Sequence, residues 1–296
     1  MLQKSVAIIV VTYNRLRLLQ EEIDALRKQS YTDFQIIVVN NGSTDDTLPW
    51  LQQQKDLIVI TQENVGGAGG FFTGMKYAAE HDFEYCWIMD DDVICERNAL
   101  EELVNGFKHI PNAGFVCSKV IGGNGCSMNV PILDMREGKH GYSEWYNESE
   151  YDLLRVKKAT FVSVLFPIKI IKEVGLPLRE YFIWGDDWEY TQRISSKYIS
   201  YMSLRSVAVH MRILQQRIIF EKEKDAKRVK NYFYAFRNNG YNAIKFKEKS
   251  KVYVLSSLLY HSIKCILKCK FMHAKIYCKA FLALFFFKPR ICYPSK

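Results

Sequence analysis

SVAIIVVTY, residues 5–13, is the stretch of this sequence that decides the fold. It is a continuous apolar run rich in valine and isoleucine, which is typical of a strand buried on both faces. The segment after it spaces Leu19, Ile23 and Leu26 as on one face of a helix. A buried strand followed at once by an amphipathic helix is the repeating unit of parallel sheets.

The alternation of strand and helix continues to about residue 120. Strand-like runs occupy residues 34–40, 57–61, 85–89 and 113–121, and helix-like segments occupy residues 44–54, 71–82 and 98–110. Beyond an irregular stretch at 122–158, residues 159–175 indicate a strand and a short helix, and a further helix is expected to start near Asp186. Because βαβ crossovers are right-handed, the pattern predicts an α/β fold with a mostly parallel, doubly wound sheet flanked by helices.

Polar segments follow the predicted strands at the ends where ligands bind in such sheets. They are TYNR (12–15), NNGSTDD (40–46), NVGGAGG (64–70) and DDD (90–92). Since the carboxyl ends of parallel strands meet at one edge, we expect these four loops to converge there.

Three consecutive aspartates, Asp90, Asp91 and Asp92, come directly after the apolar run YCWIM. Side chains at i and i+2 of an extended segment point the same way, so Asp90 and Asp92 can converge on one hard cation, Mg²⁺ or Mn²⁺. Such a cation neutralises a diphosphate. The alternative is a strand end whose carboxylates are simply solvated.

The glycine-rich segment 64–70 lets backbone approach a ligand closely and offers N–H groups to anionic oxygens. It is not a dinucleotide fingerprint, because the third glycine counted from Gly67 falls on Phe72. A flexible linker is the alternative, although linkers rarely join a strand directly to a helix.

A second acidic turn, WGDDWEY, carries Asp186 and Asp187 between Trp184 and Trp188. A carboxylate in such surroundings has a raised pKa and favours action as a base, and tryptophan offers a stacking surface to a sugar ring. The alternative is that either aspartate caps the helix that follows, and both roles can coexist. His210 follows a strand-like run, where an isolated histidine is usually structural.

The charge of the chain is divided unevenly along its length. The whole chain carries +9, yet after Asp225 Glu248 is the only acidic residue among 16 lysines and arginines. A basic, aromatic, helical segment of this kind meets anionic partners, either a membrane surface or nucleic acid. The alternative is an ordinary helical extension that packs on the rest of the protein.

Targeting and redox features indicate a cytoplasmic protein. We find no charged-then-apolar leader and no uncharged apolar run of the roughly 18 residues that a membrane span needs. The eight cysteines form no CxxC pair, so we expect reduced thiols. His261, Cys265, Cys269 and His273 repeat every four residues, but on one helix their ends would lie about 18 Å apart, too far for one zinc ion.

Taken together, these stretches resemble the family-2 inverting glycosyltransferases of the GT-A fold. Within that family they are most similar to the galactofuranosyl- and rhamnosyltransferases that build bacterial surface polysaccharides. The resemblance rests on VVTYNR, VVNNGSTDDT, NVGGAGGFFTGM, WIMDDDV, FIWGDDWEYTQRI, VAVH and YFYAFRNNGY, which occur in the family's order between residues 7 and 241.

The resemblance implies a role for each matching residue. The nucleotide-sugar would be bound by Thr12, Tyr13, Arg15, Asn40, Asn64, Gly66, Gly67, Asp90 and Asp91, the metal by Asp90, Asp92 and His210, and the acceptor by Trp184, Asp186, Trp188 and Glu189. Asp187 would be the base that takes the proton of the acceptor hydroxyl. Asn40 departs from the family, which usually has an aspartate there that reads the base.

The implied activity is metal-dependent transfer of a sugar from a nucleoside-diphosphate sugar to a hydroxyl of a polyprenyl-diphosphate-linked glycan, with Mn²⁺ or Mg²⁺. UDP-galactofuranose is the first choice of donor and dTDP-rhamnose the second. A metal-dependent nucleotide-sugar hydrolase is the rival enzyme. Residues 1–120 would form the nucleotide-sugar half of the catalytic domain 1–225, and residues 121–225 its acceptor half.

Residues 226–296 would bind the anionic inner face of the cell membrane peripherally. Nucleic acid is not expected as a partner, because it would not require the two acidic sites at the sheet edge.

Overall fold

The computed structural model describes residues 4–212 and 219–295, and within them the chain forms ten strands and nine α-helices. The strands are β1 (Val6–Thr12), β2 (Phe34–Asn40), β3 (Ile58–Thr61), β4 (Tyr85–Asp90), β5 (Val93–Cys95), β6 (Val116–Gly122), β7 (Ile132–Leu133), β8 (Leu153–Lys158), β9 (Val164–Pro167) and β10 (Tyr201–His210). The helices are α1 (Leu16–Arg27), α2 (Thr47–Leu51), α3 (Gly66–Glu80), α4 (Ala99–His109), α5 (Ile168–Val174), α6 (Asp186–Ser195), α7 (Ala226–Lys245), α8 (Lys251–Leu267) and α9 (Phe271–Phe286).

Strand β1 lies at the centre of a parallel half-sheet, as the opening stretch predicts. The order is β3-β2-β1-β4, and all three pairings are parallel. Every residue of β1 is buried. In this register Thr12 is paired with Asn40 and Val11 with Asp90, so the polar segments of the three strands meet at one edge.

The other half of the sheet is mixed rather than parallel. Strand β9 lies antiparallel between β4 and β6, and β8 pairs antiparallel with β10. Parallel pairing returns only between β6 and β10. The chain reaches β8 and β9 through the long excursion at 122–158, which lacks the crossover helix that a parallel connection requires. The same excursion contains β7 and β8, which the sequence does not predict.

Helices cover both faces of the sheet, which confirms the predicted α/β, doubly wound architecture. Leu19, Ile23 and Leu26 of α1 pack with β1, β4 and α4 on one face. On the other face Phe71 and Met75 of α3 pack with β1 and with α5 and α6. Helices therefore pack on both faces of the parallel strands, which explains the continuous apolar sequences of these strands.

Helix α3 begins earlier than the sequence predicts, because the glycine-rich segment forms its first turns. A Cβ on Gly70 would lie 2.3 Å from Cγ1 of Val11, and a Cβ on Gly74 would lie 2.2 Å from Cγ2 of Ile9. These glycines let the helix approach β1 more closely than any larger residue would allow. The N-terminus of α3, with its free N–H groups, therefore lies at the ligand edge of the sheet.

The three C-terminal helices form a core of their own that is joined to the rest of the protein. Its buried members include Val229 of α7, Val254 and Leu258 of α8, and Ala280 and Leu284 of α9. The single acidic residue of this region, Glu248, accepts hydrogen bonds from Lys158 (2.6 Å) and from Gln192 of α6 (2.9 Å). The extension thus packs on the body of the protein, while the division into 1–225 and 226–296 stays a prediction.

Two further predictions concern this region. His261 and Cys265 lie on α8, Cys269 lies between the helices and His273 lies on α9, so the four residues do not share one helix face. Among the described residues no helix is long and apolar enough to cross a membrane.

Candidate active site

Two carboxylates and one imidazole meet at the end of β4. Asp90 is the last residue of that strand, and His210 is the last residue of β10, where it is paired with Val93 of β5. One ligand atom from each of Asp90, Asp92 and His210 lies within 4.8 Å of the others. The predicted trio is therefore brought together, although its members are up to 120 residues apart in sequence.

The environment of His210 fits the binding of a divalent cation. Its Nδ1 lies 2.9 Å from Oδ1 of Asn129, so Nδ1 carries the proton and donates it. Nε2 of His210 faces Oδ1 of Asp92, 3.1 Å away, and this buried oxygen has no other hydrogen-bond partner among the described residues. A cation between these atoms would satisfy both, and two carboxylates with one imidazole form a donor set suited to Mn²⁺ or Mg²⁺.

Asp91 holds the loop after β1. Its Oδ2 accepts hydrogen bonds from the hydroxyl of Thr12 (2.8 Å) and the backbone N–H of Tyr13 (3.2 Å). Arg15 reaches both Asp91 (3.2 Å) and Asp92 (2.5 Å) with Nη1. These contacts place the first predicted nucleotide loop beside the acidic cluster, whereas direct contact of Asp91 with nucleotide stays a prediction.

Burial and mutual repulsion perturb the three aspartates in different directions. Burial, reinforced by the charge of Asp92, raises the pKa of Asp90 to about 8. Burial raises the pKa of Asp91 to about 6, against the opposing effect of Arg15. For Asp92 burial is outweighed by His210 and Arg15, which lower its pKa. Full ionisation of the cluster is therefore unfavourable at low dielectric, and a bound cation would stabilise the ionised carboxylates.

A buried asparagine that the sequence does not single out connects the loop at 40–46 to the glycine-rich segment 64–70. Asn41 accepts from Nε2 of Gln62 (2.9 Å) and donates to the carbonyl of Gly66 (3.0 Å). Its neighbour Asn40, predicted to bind the nucleotide-sugar, is buried and accepts from the N–H of Ser43 (3.1 Å). The Nδ2 group of Asn40 has no partner among the described residues, so it keeps a free donor at the ligand edge.

The glycines of the third loop have different surroundings. A Cβ on Gly66 would lie 2.0 Å from the carbonyl oxygen of Phe182, so the second acidic turn packs directly on this position. No atom would lie within 4 Å of a Cβ on Gly67, which faces open space. Asn64 accepts from the N–H of Gly66 (3.0 Å) and thereby fixes the start of α3.

The turn that carries Asp186 and Asp187 is strained. Phe182 and Trp184 both have positive φ, 65° and 62°, and Gly185 has φ 87°. For a non-glycine residue such a conformation costs about 1–3 kcal/mol and persists only where surrounding contacts enforce it. One of these contacts comes from α3, since the N–H of Ala68 donates to the carbonyl of Phe182 (3.1 Å).

The two aspartates of the turn start α6, as predicted, and both resist ionisation. Burial raises the pKa of Asp187 to about 6, and burial together with the charge of Asp187 raises that of Asp186 to about 8. Oδ1 of Asp187 accepts from the N–H of Trp188 (2.7 Å). Trp184 and Trp188 are exposed, and Nζ of Lys158 lies 5.1 Å from the ring centre of Trp188.

Glu189 occupies a different environment from the one predicted. Its side chain has no exposed surface, and its oxygens pair with Arg193 (2.8 Å) and Lys245 (2.5 Å). In this conformation a buried, doubly paired carboxylate does not reach an acceptor. Its side chain instead joins α6 to α7.

Comparison with known proteins identifies the family. The model of Glycosyl transferase family 2 matches residues 7–165, more than half of the chain. The chain belongs to glycosyl transferase family 2. The predicted family is thus confirmed, and the acidic cluster, the loop after β1 and the start of α3 all lie inside the matched region.

Curated relatives of this family-2 chain include a galactofuranosyltransferase and a poly-beta-1,6-N-acetyl-D-glucosamine synthase. It is 26% identical over 201 residues to galactofuranosyltransferase GlfT1 of Mycobacterium tuberculosis, and the match covers 64% of each chain. It is 26% identical over 117 residues to poly-beta-1,6-N-acetyl-D-glucosamine synthase of Staphylococcus aureus, covering 38% of this chain and 28% of that protein. The chain therefore spans less than two thirds of the length of these relatives.

Solved structures support the predicted GT-A fold. TarS of S. aureus superposes with a TM-score of 0.57 at 14% identity, covering 86% of this chain and 42% of TarS. A shorter form of TarS in complex with UDP superposes with a TM-score of 0.51 at 16% identity, covering 86% of this chain and 70% of that one. At these identities the likeness concerns the fold.

Proposed function

We propose that this family-2 chain transfers galactofuranose from UDP-galactofuranose, with inversion, to a hydroxyl of a lipid-linked glycan. The hydrogen bond from Ala68 to Phe182 carries this proposal, because it joins the start of α3 to the turn that bears Asp187. A continuous path therefore runs along one sheet edge from the acidic cluster through Asn41 and α3 to the second acidic turn. A donor diphosphate and an acceptor hydroxyl would meet across this edge.

Asp187 is the base in this mechanism. Its raised pKa makes it a stronger proton acceptor than an exposed aspartate, while leaving it largely ionised at neutral pH. It takes the proton of the acceptor hydroxyl as that oxygen bonds to the anomeric carbon. The bond from this carbon to the diphosphate oxygen breaks on the opposite face, so the configuration inverts and UDP leaves.

Asp90, Asp92 and His210 would hold the divalent cation. When bound, Mn²⁺ or Mg²⁺ supplies the positive charge that stabilises the leaving diphosphate. Asn129 accepts a hydrogen bond from Nδ1–H of His210 and so keeps Nε2 turned toward Asp92, and Arg15 adds a positive charge beside the same carboxylates. The N–H groups at the start of α3, around Gly67, are well suited to the diphosphate oxygens.

Acceptor binding is proposed for the exposed faces of Trp184 and Trp188, with Asp186 between them. An indole ring offers a stacking surface for a sugar and a fixed orientation at low entropic cost. Glu189 is left out of this surface because it is buried and paired.

The choice of donor rests on the relative named as a galactofuranosyltransferase. The acceptor follows from the chemistry of the C-terminal helices. Helices α8 and α9 and the connection between them contain six lysines and no acidic residue. They also leave large apolar side chains exposed, among them Leu267 (80%) and Phe271 (66%) near the connection between the helices. Lysines beside exposed apolar side chains suit an anionic membrane surface, which is where a lipid-linked acceptor would lie.

A donor panel tests the proposed function. The full chain is incubated with a synthetic polyprenyl-diphosphate-linked glycan, Mn²⁺ or Mg²⁺, and UDP-galactofuranose, dTDP-rhamnose or UDP-N-acetylglucosamine in turn. Mass spectrometry is expected to find the added sugar only with UDP-galactofuranose and only with metal. Transfer from another donor would overturn the donor assignment, and release of free sugar at full rate without acceptor would identify a hydrolase.

A further inference from the structure

We propose that helix α7 is part of the active site, with Asn238 and Asn242 as positioning residues that hold the strained turn 181–185 and thereby orient Asp187. This inference rests on the proposed role of Asp187 as the base. The two asparagines belong to the segment RNNGYN, whose function neither the acidic cluster nor the nucleotide loops explain.

Asn238 binds three carbonyl groups of the turn. Its side chain is fully buried, and Nδ2 lies 3.0 Å from the carbonyl oxygen of Tyr181, 3.1 Å from that of Ile183 and 2.7 Å from that of Trp184. An amide NH₂ has two hydrogens, so at least one of these bonds is shared. The orientation of the amide is fixed chemically, because its oxygen accepts from Nε of Arg237 (2.9 Å) while its nitrogen faces only acceptors.

Asn242 completes the attachment one helical turn later. Its Nδ2 donates to the carbonyl of Gly185 (2.8 Å), and its Oδ1 accepts from the hydroxyl of Tyr181 (2.6 Å). A Cβ on Gly185 would lie 3.3 Å from Cβ of Asn238, so the helix surface also presses against the turn. With the bond from Ala68 to Phe182, every carbonyl from residue 181 to 185 accepts a hydrogen bond.

The hydrogen bonds of Asn238 and Asn242 hold the turn itself, whereas other contacts attach helix α7 to the protein. An ion pair between Lys245 and Glu189 attaches helix α7 to α6. A second ion pair, between Glu248 and Lys158, attaches the segment that follows α7. The asparagines contribute something that these ion pairs do not, because they bind the carbonyl of Trp184, whose φ angle is unfavourable, and the carbonyls on either side of Phe182 and Trp184. The side chain of Asp187 starts two residues beyond the last of these carbonyls, so its direction depends on how firmly the turn is held.

Replacement of Asn238 by aspartate in the full chain tests the inference. Asn238→Asp is nearly isosteric but turns a donor into an acceptor that faces three carbonyls. Asn231→Asp introduces the same charge on a partly exposed residue of the same helix and is the control. In Asn238→Asp we expect kcat for transfer from UDP-galactofuranose to fall at least about 100-fold relative to Asn231→Asp, as for a misplaced catalytic group. Affinity for UDP with Mn²⁺, measured by calorimetry, should stay within twofold of the control.

Hydrogen exchange read by mass spectrometry gives a second, ligand-free measurement. Amides of residues 182–189 should exchange faster in Asn238→Asp than in Asn231→Asp, with β1 and β4 unchanged. If Asn238→Asp fails to fold, Tyr181→Phe removes only the hydroxyl bonded to Asn242 and should lower kcat without changing the KM for the donor. Unchanged exchange at 182–189, or a loss of kcat matched by a loss of UDP affinity, would overturn the inference.

A parallel Asp187→Asn variant separates this inference from the proposed function. If Asp187→Asn is inactive while Asn238→Asp and Tyr181→Phe transfer normally, positioning by α7 is wrong and the base assignment stands. If Asp187→Asn retains transfer, the base assignment fails, and the exchange measurement still decides whether α7 holds the turn.

Discussion

Oδ1 of Asp92 lies 3.1 Å from Nε2 of His210, although Asp92 lies in the turn between β4 and β5 and His210 is the last residue of β10. Asn129 fixes the imidazole from the other side at 2.9 Å. With this arrangement the carboxylates of Asp90 and Asp92 and Nε2 of His210 form one set of ligand atoms with fixed orientations. The arrangement also explains why the chain tolerates three adjacent carboxylates at the end of a buried strand.

Asp92→Asn tests this cation site. The substitution keeps the shape of the side chain but removes a charged oxygen ligand, so affinity for UDP in the presence of Mn²⁺ should fall roughly 10- to 100-fold. Asp24→Asn, which changes an exposed aspartate near the C-terminal end of α1, is the matched control. Calorimetry with and without Mn²⁺ measures the effect. Equal metal-dependent affinity in the two variants would refute the assignment of Asp92.

Glu22 gives rise to a prediction about stability. It is wholly buried on α1, its oxygens have no hydrogen-bond partner among the described residues, and burial with the nearby aspartates raises its pKa well above 4.5. The native state therefore keeps a proton that the unfolded chain releases, so above about pH 4.5 this group lowers stability as pH rises. The slope approaches about 1.4 kcal/mol per pH unit until the native pKa is reached.

Glu22→Gln should remove this slope. In urea unfolding its stability should approach that of wild type at pH 5 and exceed it increasingly toward pH 8. Glu21→Gln, which changes the exposed neighbour, should follow the wild-type curve at both pH values. Parallel curves for Glu22→Gln and wild type would mean that Glu22 is ionised in the native state.

The surface at the connection between α8 and α9 should bind membranes. A Leu267→Ser, Phe271→Ser double variant removes two exposed apolar side chains beside Lys264 and Lys268. Since burying such a side chain contributes about 1.5–3 kcal/mol, partitioning to anionic vesicles should fall roughly tenfold or more. The control is Val130→Ser with Tyr142→Ser, which removes exposed apolar area elsewhere. Unchanged sedimentation with phosphatidylglycerol vesicles would contradict the membrane proposal.

The pH dependence of transfer should reflect Asp187. Burial raises its pKa to about 6, and a base must be deprotonated to act, so kcat should rise as pH increases through about 6 and level off above it. Measurement at saturating donor and acceptor isolates this step from binding. An acid limb centred near pH 4, the ordinary value for an exposed aspartate, would show that the group that titrates is not buried Asp187.

The sequence predicts the parallel half of the sheet because each strand there carries its own apolar signal, which is longest in the buried strands β1, β2 and β4. It also predicts the edge loops and the start of α6 at Asp186, since strand ends and turns have local signatures. The antiparallel insertion of β9 is not predictable in this way. Its pairing with β4 and β6 depends on a long connection whose path no local pattern specifies.

Contacts between distant segments account for the other differences. The sequence places Glu189 in an acidic cluster, whereas in the structure its carboxylate pairs with Lys245 of α7. Asn41, Asn238 and Asn242 are buried and Asn129 is partly buried, yet nothing in the local sequence marks these polar residues as members of a hydrogen-bond network. Gly66 is predicted as a ligand contact, whereas the structure shows that its missing side chain makes room for Phe182.

Asp187→Asn is the most direct test of the central claim that this chain is an inverting glycosyltransferase with Asp187 as its base. Transfer from UDP-galactofuranose to the lipid-linked glycan is measured for the variant and for wild type, together with affinity for UDP and Mn²⁺. The predicted result is loss of transfer by at least about 100-fold, in the range attributed to general-base catalysis, with UDP affinity unchanged. Substantial residual transfer by Asp187→Asn would contradict the claim.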